Sequence, residues 1–458
     1  MKIAYVLHQF LPFYNSGTEQ YVYNLAKNLK GRGEEVRIFC FEPNFERNRP
    51  FTGISEDKYE DLVVTRLSGW MGLFPNYVLA QYYNPFFGRL FGEFLEEEGI
   101  ELVHFFNNSY LGVSLFEEAY IRGIPQVVNL MDFWFLCPTI QLLKINGDLC
   151  EGPADCKDCI DCLAPFDANY SALIPYLHGE QSIPMPEGIY ENADVDFLSS
   201  SDPYHRVAAM AVRPHFIRRT LALTDRIISP SAFLKSVFVK NGYDPSRIHQ
   251  ARYGIKNDML AGIKKVESAE LRIGYMGTIS KHKGLDILIK AFRQIEGDAL
   301  SLNVYGDLQG FPAYTHEVRG LAEGDDRIHF HGRFESGELP DVLSKIDALV
   351  VPSIWYENTP FVMLEALASG TPVLASNLGG LAELVDDGKE GMLFEAGNPE
   401  DLLKKLEAIH KDRTMLARMR PDPSKARSLD DNVDEFLEIY NRLIRGGEGP
   451  GHGEKNGP

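Results

Sequence analysis

Ala348-Leu349-Val350-Val351-Pro352-Ser353-Ile354-Trp355-Tyr356-Glu357-Asn358-Thr359-Pro360-Phe361-Val362-Met363-Leu364-Glu365 runs from a short apolar segment through a polar loop into a helix. Segment 348–351 reads as a buried strand. Asn358 or Thr359 suits a helix cap, and Pro360 suits the first turn, where no amide partner is needed. The amides of Phe361 and Val362 then point outward at a helix N-terminus, a seat for an anionic phosphate. Glu357 sits just before that seat, and Glu365 lies about two turns further on, at roughly 1.5 Å rise per residue. One carboxylate reaches hydroxyls on one side of a phosphate and the other reaches those on the far side, a layout for sugar, diphosphate and ribose in a row. Two Glu residues at this spacing alone read as an exposed loop carboxylate and a solvated helix carboxylate. Their surroundings turn that reading.

Outward from this passage the same strand–loop–helix rhythm fills the chain. Segments 2–10, 36–41, 62–67, 102–106, 126–130 and 226–229 read as strands, with amphipathic stretches such as 19–30, 85–98 and 232–241 between them. Residues near 163–205, rich in Pro, Ser, Asp and Tyr, break the rhythm as an insertion or long loop. It restarts with strands at 271–276, 300–305, 327–331, 348–351, 372–375 and 392–394. The expected architecture is α/β: two doubly wound Rossmann-like domains facing a central cleft. Residues 1–256 form the first domain, carrying a Cys-rich insertion at 137–162. A linker at 257–269 leads to the second domain, 270–428. A last amphipathic helix, 429–445, packs back on the first domain, and 446–458 read as a disordered tail.

Composition narrows the function classes. With 65 acidic against 46 basic residues the net charge is −19, and no basic block stands out, which disfavours nucleic acid. An anionic substrate then needs a local positive site rather than a global field. No apolar run approaches the ~18 residues of a membrane span. The run Ile3–Leu7 is too short for a signal h-region. These features place the protein in the cytoplasm, with a peripheral contact at the inner face of a membrane left open.

Several strand ends of the second domain carry candidate ligand groups. Gly277-Thr278-Ile279-Ser280-Lys281-His282-Lys283-Gly284 follows strand 271–276: Gly277 admits close backbone approach and Lys283 offers a cation for a diphosphate. Tyr305-Gly306-Asp307 and His331-Gly332-Arg333-Phe334 end strands on the same edge and either line a base pocket or are plain turns. The stretch from Ser376 to Glu383, with Gly379-Gly380, closes the set.

The ordered run Met276-Gly277 to Lys283-Gly284, Val351-Pro352-Ser353, Glu357, Glu365-Ala366-Leu367-Ala368-Ser369-Gly370-Thr371-Pro372-Val373, Gly379-Gly380 and Glu383 resembles the group-1 (family 4) glycosyltransferases. In the first half, Ser16-Gly17-Thr18-Glu19 resembles the family's glycine turn, Gly33-Glu34-Glu35-Val36 its Gly-His-x-Val step, and Asp225-Arg226-Ile227-Ile228-Ser229-Pro230-Ser231 its inter-domain approach. The resemblance spans about residues 1–445. It implies a two-domain GT-B enzyme that retains stereochemistry, uses a nucleotide-sugar donor and needs no catalytic metal. It further implies that Glu365 binds the ribose hydroxyls and Glu357 the donor sugar. Lys283 then holds the diphosphate, helped by the Phe361 and Val362 amides and by Gly17 from the opposite domain.

Two positions depart from the family pattern. Arg usually follows the glycine equivalent to Gly277, and this chain has Thr278; one diphosphate cation is then missing unless Arg333, Lys281 or another residue substitutes. In Leu130-Met131-Asp132-Phe133-Trp134-Phe135-Leu136-Cys137-Pro138, Met131 stands where the family has a His that faces the acceptor and donor sugar. A thioether neither transfers a proton nor donates a hydrogen bond. Asp132 takes over part of the polar work, or is a turn residue.

Five of the six cysteines fall between Cys137 and Cys162. Cys150, Cys156, Cys159 and Cys162, with five, two and two residues between them, suit a structural Zn²⁺; an iron–sulfur cluster and reduced thiols are the alternatives. No cofactor is required for catalysis on this reading. Tyr77, Tyr82, Tyr83, Phe86, Phe87, Phe91 and Phe94 read as core or as a membrane-docking face. Arg206, Arg213, Arg218 and Arg219 read as a solvated helix face or an anion contact. His8 is either structural or an acceptor contact, and His104 belongs to the sheet.

The expected function is retaining transfer of a sugar from a nucleoside diphosphate donor to a hydroxyl of a saccharide or lipid-linked saccharide, in surface-polysaccharide or glycolipid assembly. Two rivals stand beside it. One is a nucleotide-sugar hydrolase or epimerase of the same fold; the other is a non-catalytic scaffold that uses the Cys cluster as an interaction module.

Overall fold

Short apolar runs in this chain become strands buried on both faces, the pattern of a parallel sheet covered by helices. The computed structural model describes residues 1–43, 51–69, 74–152, 155–177, 200–419 and 421–446. Residues 1–230, 235–251 and those from 433 onward form one unit; 231–234 and 252–432 form the other.

The first unit holds β1 (Lys2–Leu7), β2 (Glu35–Pro43), β3 (Phe51–Tyr59), β4 (Leu62–Gly69), β5 (Leu102–Phe105), β6 (Gln126–Asn129), β7 (Arg226–Ser229) and β8 (Ile248–Gln250). They lie in the order β3-β4-β2-β1-β5-β6-β7-β8, parallel except for the β3–β4 pair. Ile3 to Leu7 are wholly buried. β3 and β8 were not legible as strands. β3 is an edge strand whose stretch Ser55-Glu56-Asp57-Lys58 is exposed, so it carries no apolar alternation. The aromatic run resolves as core. Tyr82, Phe87, Phe91 and Phe94 are buried, and Phe91 meets Phe39 edge-on with centroids 4.9 Å apart.

The second unit holds β9 (Leu271–Met276), β10 (Leu300–Tyr305), β11 (Ile328–Gly332), β12 (Ala348–Val351), β13 (Val373–Ser376) and β14 (Gly391–Phe394). All are parallel, in the order β11-β10-β9-β12-β13-β14. Ile273, Leu288, Leu302 and Leu406 are fully buried in its core. The strand order reverses between β9 and β12, the position where doubly wound sheets open a crevice for ligands. In the first sheet the corresponding reversal lies between β1 and β5.

Segment 257–269 is not a free linker, because it is tied to the second unit. Lys265 Nζ donates to the carbonyls of Leu343 (2.7 Å) and Ile346 (2.8 Å) and to Thr371 Oγ1 (2.6 Å). The helix Leu429–Ile444 divides between the units at Val433. In the first unit its Tyr440 hydroxyl lies 3.2 Å from Tyr5 Oη and 2.6 Å from Nδ1 of the sheet residue His104. Within the 163–205 stretch, Ala168–Ser171 and Ile174–Leu177 are short helices; 178–199 fall outside the described residues, as does the tail from 447. Among the described residues no helix is long and apolar enough to cross a membrane.

Candidate functional site

The turn after β9 and the loop after β12 sit on either side of the second sheet's reversal. Gly277 has φ 145°, and a Cβ built there would meet nothing within 4 Å. Its backbone faces open space in a conformation few other residues adopt. Gly284 closes the turn with φ 71°; a Cβ on it would stand 2.0 Å from the Pro352 carbonyl oxygen, so glycine lets the two loops touch. Lys283 is thereby set against the β12 loop. Its Nζ lies 2.5 Å from Glu357 Oε1 and 5.2 Å from the Trp355 ring centroid.

Glu357 is 5% exposed. Its Oε1 also accepts from Ser353 Oγ (2.8 Å) and Trp355 Nε1 (2.9 Å). Burial pushes this carboxyl up, but Lys283 and the two neutral donors outweigh it and hold the group below its ordinary value. Helix Phe361–Ala368 follows, with Pro360 itself at the N-cap and no side-chain cap. The cap is thus one residue beyond Thr359 and two beyond Asn358, the two expected. Asn358 is used elsewhere: its Oδ1 accepts from Ser231 Oγ at 2.9 Å and its Nδ2 donates to Tyr253 Oη at 3.3 Å. Tyr253 stacks on Phe361 with centroids 5.0 Å apart, fixing the first turn.

Glu365 lies on that helix, half-buried, and burial pushes its carboxyl up to about 7. Among the described residues the carboxylate has no hydrogen-bond or ion-pair partner. A partly desolvated carboxylate with its lone pairs unused is poised for hydroxyl donors.

The cations expected to replace the missing Arg are already engaged. Thr278 is exposed. Arg333 lies beyond the edge strand β11 and pairs with Asp307 at 2.8 Å; Lys281 pairs with Asp286 at 3.0 Å and Glu317 at 3.2 Å. Glu383 accepts the amides of Ala232 (3.0 Å) and Phe233 (2.9 Å), a capping role. The Gly380 amide donates to the Glu357 carbonyl at 2.8 Å, which ties the Gly379-Gly380 turn to the site loop.

In the first unit, Gly17 opens the helix Gly17–Gly31 after β1 and is exposed. The Ser16 amide and hydroxyl both donate to Glu19 Oε2, the amide at 2.9 Å. His8 Nε2 lies 3.4 Å from Glu19 Oε1, while its buried Nδ1 has no partner among the described residues. Beyond β6, Asp132 accepts from the Trp134 amide at 2.7 Å and from Asn107 Nδ2 at 2.6 Å. Burial pushes Asp132 up to about 6, against the pull of these two donors. Met131 Sδ accepts from Asn129 Nδ2 at 3.2 Å. Arg213 is not on a solvated face. It is 3% exposed, donates to the Trp134 and Leu136 carbonyls, and lies over the Trp134 ring at 5.5 Å.

The expected zinc tetrad is not gathered: among the described residues no three His, Cys, Asp or Glu side chains stand where they could hold a metal ion. Cys156, Cys159 and Cys162 sit on one helix, Cys156–Leu163, while Cys150 Sγ turns to the Gly152 carbonyl at 3.3 Å. Burial pushes Cys156 up to about 11 and Cys159 up to about 12.

Two contact residues, Trp355 and Asn107, escaped the sequence reading, which had Ser353 only as part of the Val351-Pro352-Ser353 run. Ser353 and Trp355 lie within four residues of Glu357, a spacing that flags them once the loop is known to curl. Asn107 is 25 positions from Asp132, and its only signal is its place just beyond a strand's carboxyl end.

The family model described as glycosyl transferases group 1 matches residues 262–425, and that described as Glycosyltransferase Family 4 matches residues 15–136. An uncharacterised 41.2 kDa protein in the cps region of Klebsiella pneumoniae is 28% identical over 236 residues, 49% of this chain and 64% of that protein. A D-inositol 3-phosphate glycosyltransferase of an Arthrobacter species is 32% identical over 152 residues, 32% of this chain and 36% of its own length. The chain thus spans less than two thirds of either relative. Among solved structures, Anabaena HepE in complex with UDP and glucose has a TM-score of 0.63 at 16% identity, covering 96% of this chain and 99% of that one. Sucrose-phosphate synthase from Thermosynechococcus elongatus gives 0.64 at 16% identity, covering 97% and 99%. These likenesses give the fold as GT-B. With one family model on each half of such a chain, the protein belongs to the group-1, family 4 glycosyltransferases.

Proposed function

We propose that this protein is a retaining glycosyltransferase that moves a sugar from a nucleoside diphosphate donor to a hydroxyl of a saccharide or lipid-linked saccharide, in surface-polysaccharide or glycolipid assembly. The observation that carries this reading is the partnerless, half-buried Glu365 two turns beyond the Lys283–Glu357 pair, on a helix no side chain caps.

Glu365 accepts the two ribose hydroxyls. The Phe361 and Val362 amides and Lys283 take the diphosphate; Gly17, Gly277 and Thr278 keep the donor-binding places the family pattern gives them. Glu357 contacts the donor sugar, and Lys283 moves between its carboxylate and the phosphate oxygens. In the transfer, the bond from sugar C1 to the diphosphate oxygen breaks and a bond from the acceptor oxygen forms on the same face. The acceptor's proton passes to the leaving phosphate. Lys283 and the helix amides stabilise the charge developing on that phosphate, the role a metal ion has elsewhere. Asp132 accepts a hydrogen bond from a sugar hydroxyl where the family has a His. HepE has been solved with UDP-glucose as well as with UDP, which makes UDP the first nucleotide to try.

The test is thermal stability of the purified protein with UDP, GDP, ADP, dTDP and CMP, beside Glu365→Ala. One nucleotide is expected to stabilise the protein. The variant is expected to lose roughly ten- to hundredfold in affinity, the worth of ribose hydrogen bonds at ~1.5–3 kcal/mol. Stabilisation by no nucleotide sinks the assignment and moves weight to the scaffold reading.

A further inference from the structure

We propose that Asn107 is the positioning residue of the acceptor side: its side-chain amide fixes the Asp132 carboxylate so that the remaining lone pairs meet an acceptor hydroxyl, the contact Met131 cannot make. This rests on the transferase reading above.

Asn107 and Asp132 approach because β5 and β6 are neighbours in parallel register, with Phe105 opposite Val128. Each residue lies just past the carboxyl end of its strand, the side of a doubly wound sheet on which ligands bind, and β5 is one of the two strands that flank the reversal. Asn107 is 5% exposed, and its amide cannot turn over. Oδ1 accepts the Ser109 amide at 2.9 Å, which leaves Nδ2 to donate to Asp132 Oδ2 at 2.6 Å. Asn108, wholly buried, anchors the same turn through Nδ2 to the Gly112 carbonyl at 3.4 Å.

The Trp134 amide holds the other carboxylate oxygen, Oδ1, at 2.7 Å. Trp134 is in turn pinned through its carbonyl by Arg213. Each Asp132 oxygen thus has one fixed neutral donor and spare acceptor capacity. No charged side chain among the described residues acts on Asp132; burial raises it, and Trp134 and Asn107 lower it. His8, just past the neighbouring strand β1, and Glu19, in the helix that follows, face one another at 3.4 Å. Among the described residues Asn107 is therefore the one side chain that both aims Asp132 and favours its ionised form. A plain turn residue would do neither.

The experiment follows the carboxyl carbon of Asp132 by NMR in the full chain labelled at aspartate Cγ, with Asp132→Asn identifying the signal. Wild type is expected to titrate near 6. Asn107→Ala is expected to move that titration up by about one unit, as loss of a hydrogen bond to the charged form does. Asn107→Ser, which keeps a donor, restores part of the shift and serves if the alanine variant folds poorly. The acid limb of kcat/KM for sugar transfer is expected to move upward in step, with nucleotide affinity unchanged. A titration unmoved in both variants, or a pH profile scaled down without displacement, overturns the proposal. Wild-type protein that transfers no sugar while Asp132 still answers to Asn107 defeats the transferase reading and the acceptor role, but not the coupling of the pair.

Discussion

The loop after β12 and the turn after β6 both hold a carboxylate beyond the carboxyl end of a buried parallel strand, yet they hold it by opposite means. Glu357 is gripped by a lysine as well as by two neutral donors, and a partnerless carboxylate stands two turns away. Among the described residues Asp132 has no cation and is held by an amide on each side. A group that must exchange a cation with a phosphate needs a strong but displaceable ion pair. A group that sorts neutral hydroxyls needs fixed direction and spare lone pairs. On the proposed reading, the second unit manages charge and the first manages hydroxyl geometry.

The sharpest way to break that contrast is Lys283→Ala. Turnover is expected to fall roughly 10²–10³-fold, the usual loss when one stabiliser of developing charge is removed. The fold also suffers, because Glu357 is left as a buried carboxylate with no counter-ion. Removing one partner of a buried pair costs about 3–5 kcal/mol, and the quarter exposure of Lys283 puts this pair at or below the low end. Adding Glu357→Gln is expected to restore most of the melting temperature but none of the turnover. If the double variant recovers both, the pair is structural and the charge-handling role of the loop is gone.

Thr278→Arg tests the same loop from the other direction. The turn presents Thr278 to solvent next to Gly277, whose open side would receive the ligand. An arginine there is expected to tighten binding of a nucleoside diphosphate about tenfold, ~1.4 kcal/mol, and to leave the monophosphate little changed. Isothermal titration with the paired nucleotides reads the difference. Equal gains for both would mean that the diphosphate does not pass this turn.

Strand–helix alternation made the two sheets legible, because strands buried on both faces leave unbroken apolar runs. The exposed edge strand β3 left no such run. The Lys283–Glu357 contact was foreshadowed because Lys283 lies in a glycine-marked turn after one strand and Glu357 in the loop after its neighbour. What the sequence could not show is how side chains are spent. Nothing in the spelling of Arg333 or Lys281 says that Asp307, Asp286 and Glu317 already hold them. Nor does Arg213 announce that it is buried against backbone carbonyls. The clustered cysteines matched a metal pattern by spacing, but spacing along a helix does not make side chains converge.

The smallest expected effect isolates Glu365 from its ligand. Burial lifts its carboxyl from an ordinary 4.5 to about 7, so between those values the folded protein binds the extra proton. Stability then falls as pH rises through this window, and above about 7 the folded chain carries the whole cost of the charge. Glu365→Gln removes that cost. Because the carboxylate is only half-buried, the gain is about 1 kcal/mol, a few degrees at most in melting temperature. It is expected at pH 8 and absent near pH 4.5. Nucleotide binding runs the other way: ribose hydroxyls donate to the ionised form, so wild-type affinity is expected to fall as pH drops below about 7 and the variant's to stay flat and weak. Both outcomes together would mark Glu365 as a group whose cost to the empty fold is offset by its ligand. A variant no more stable at pH 8 than at pH 4.5 would instead make Glu365 an ordinary solvated residue, the reading its spacing alone supports.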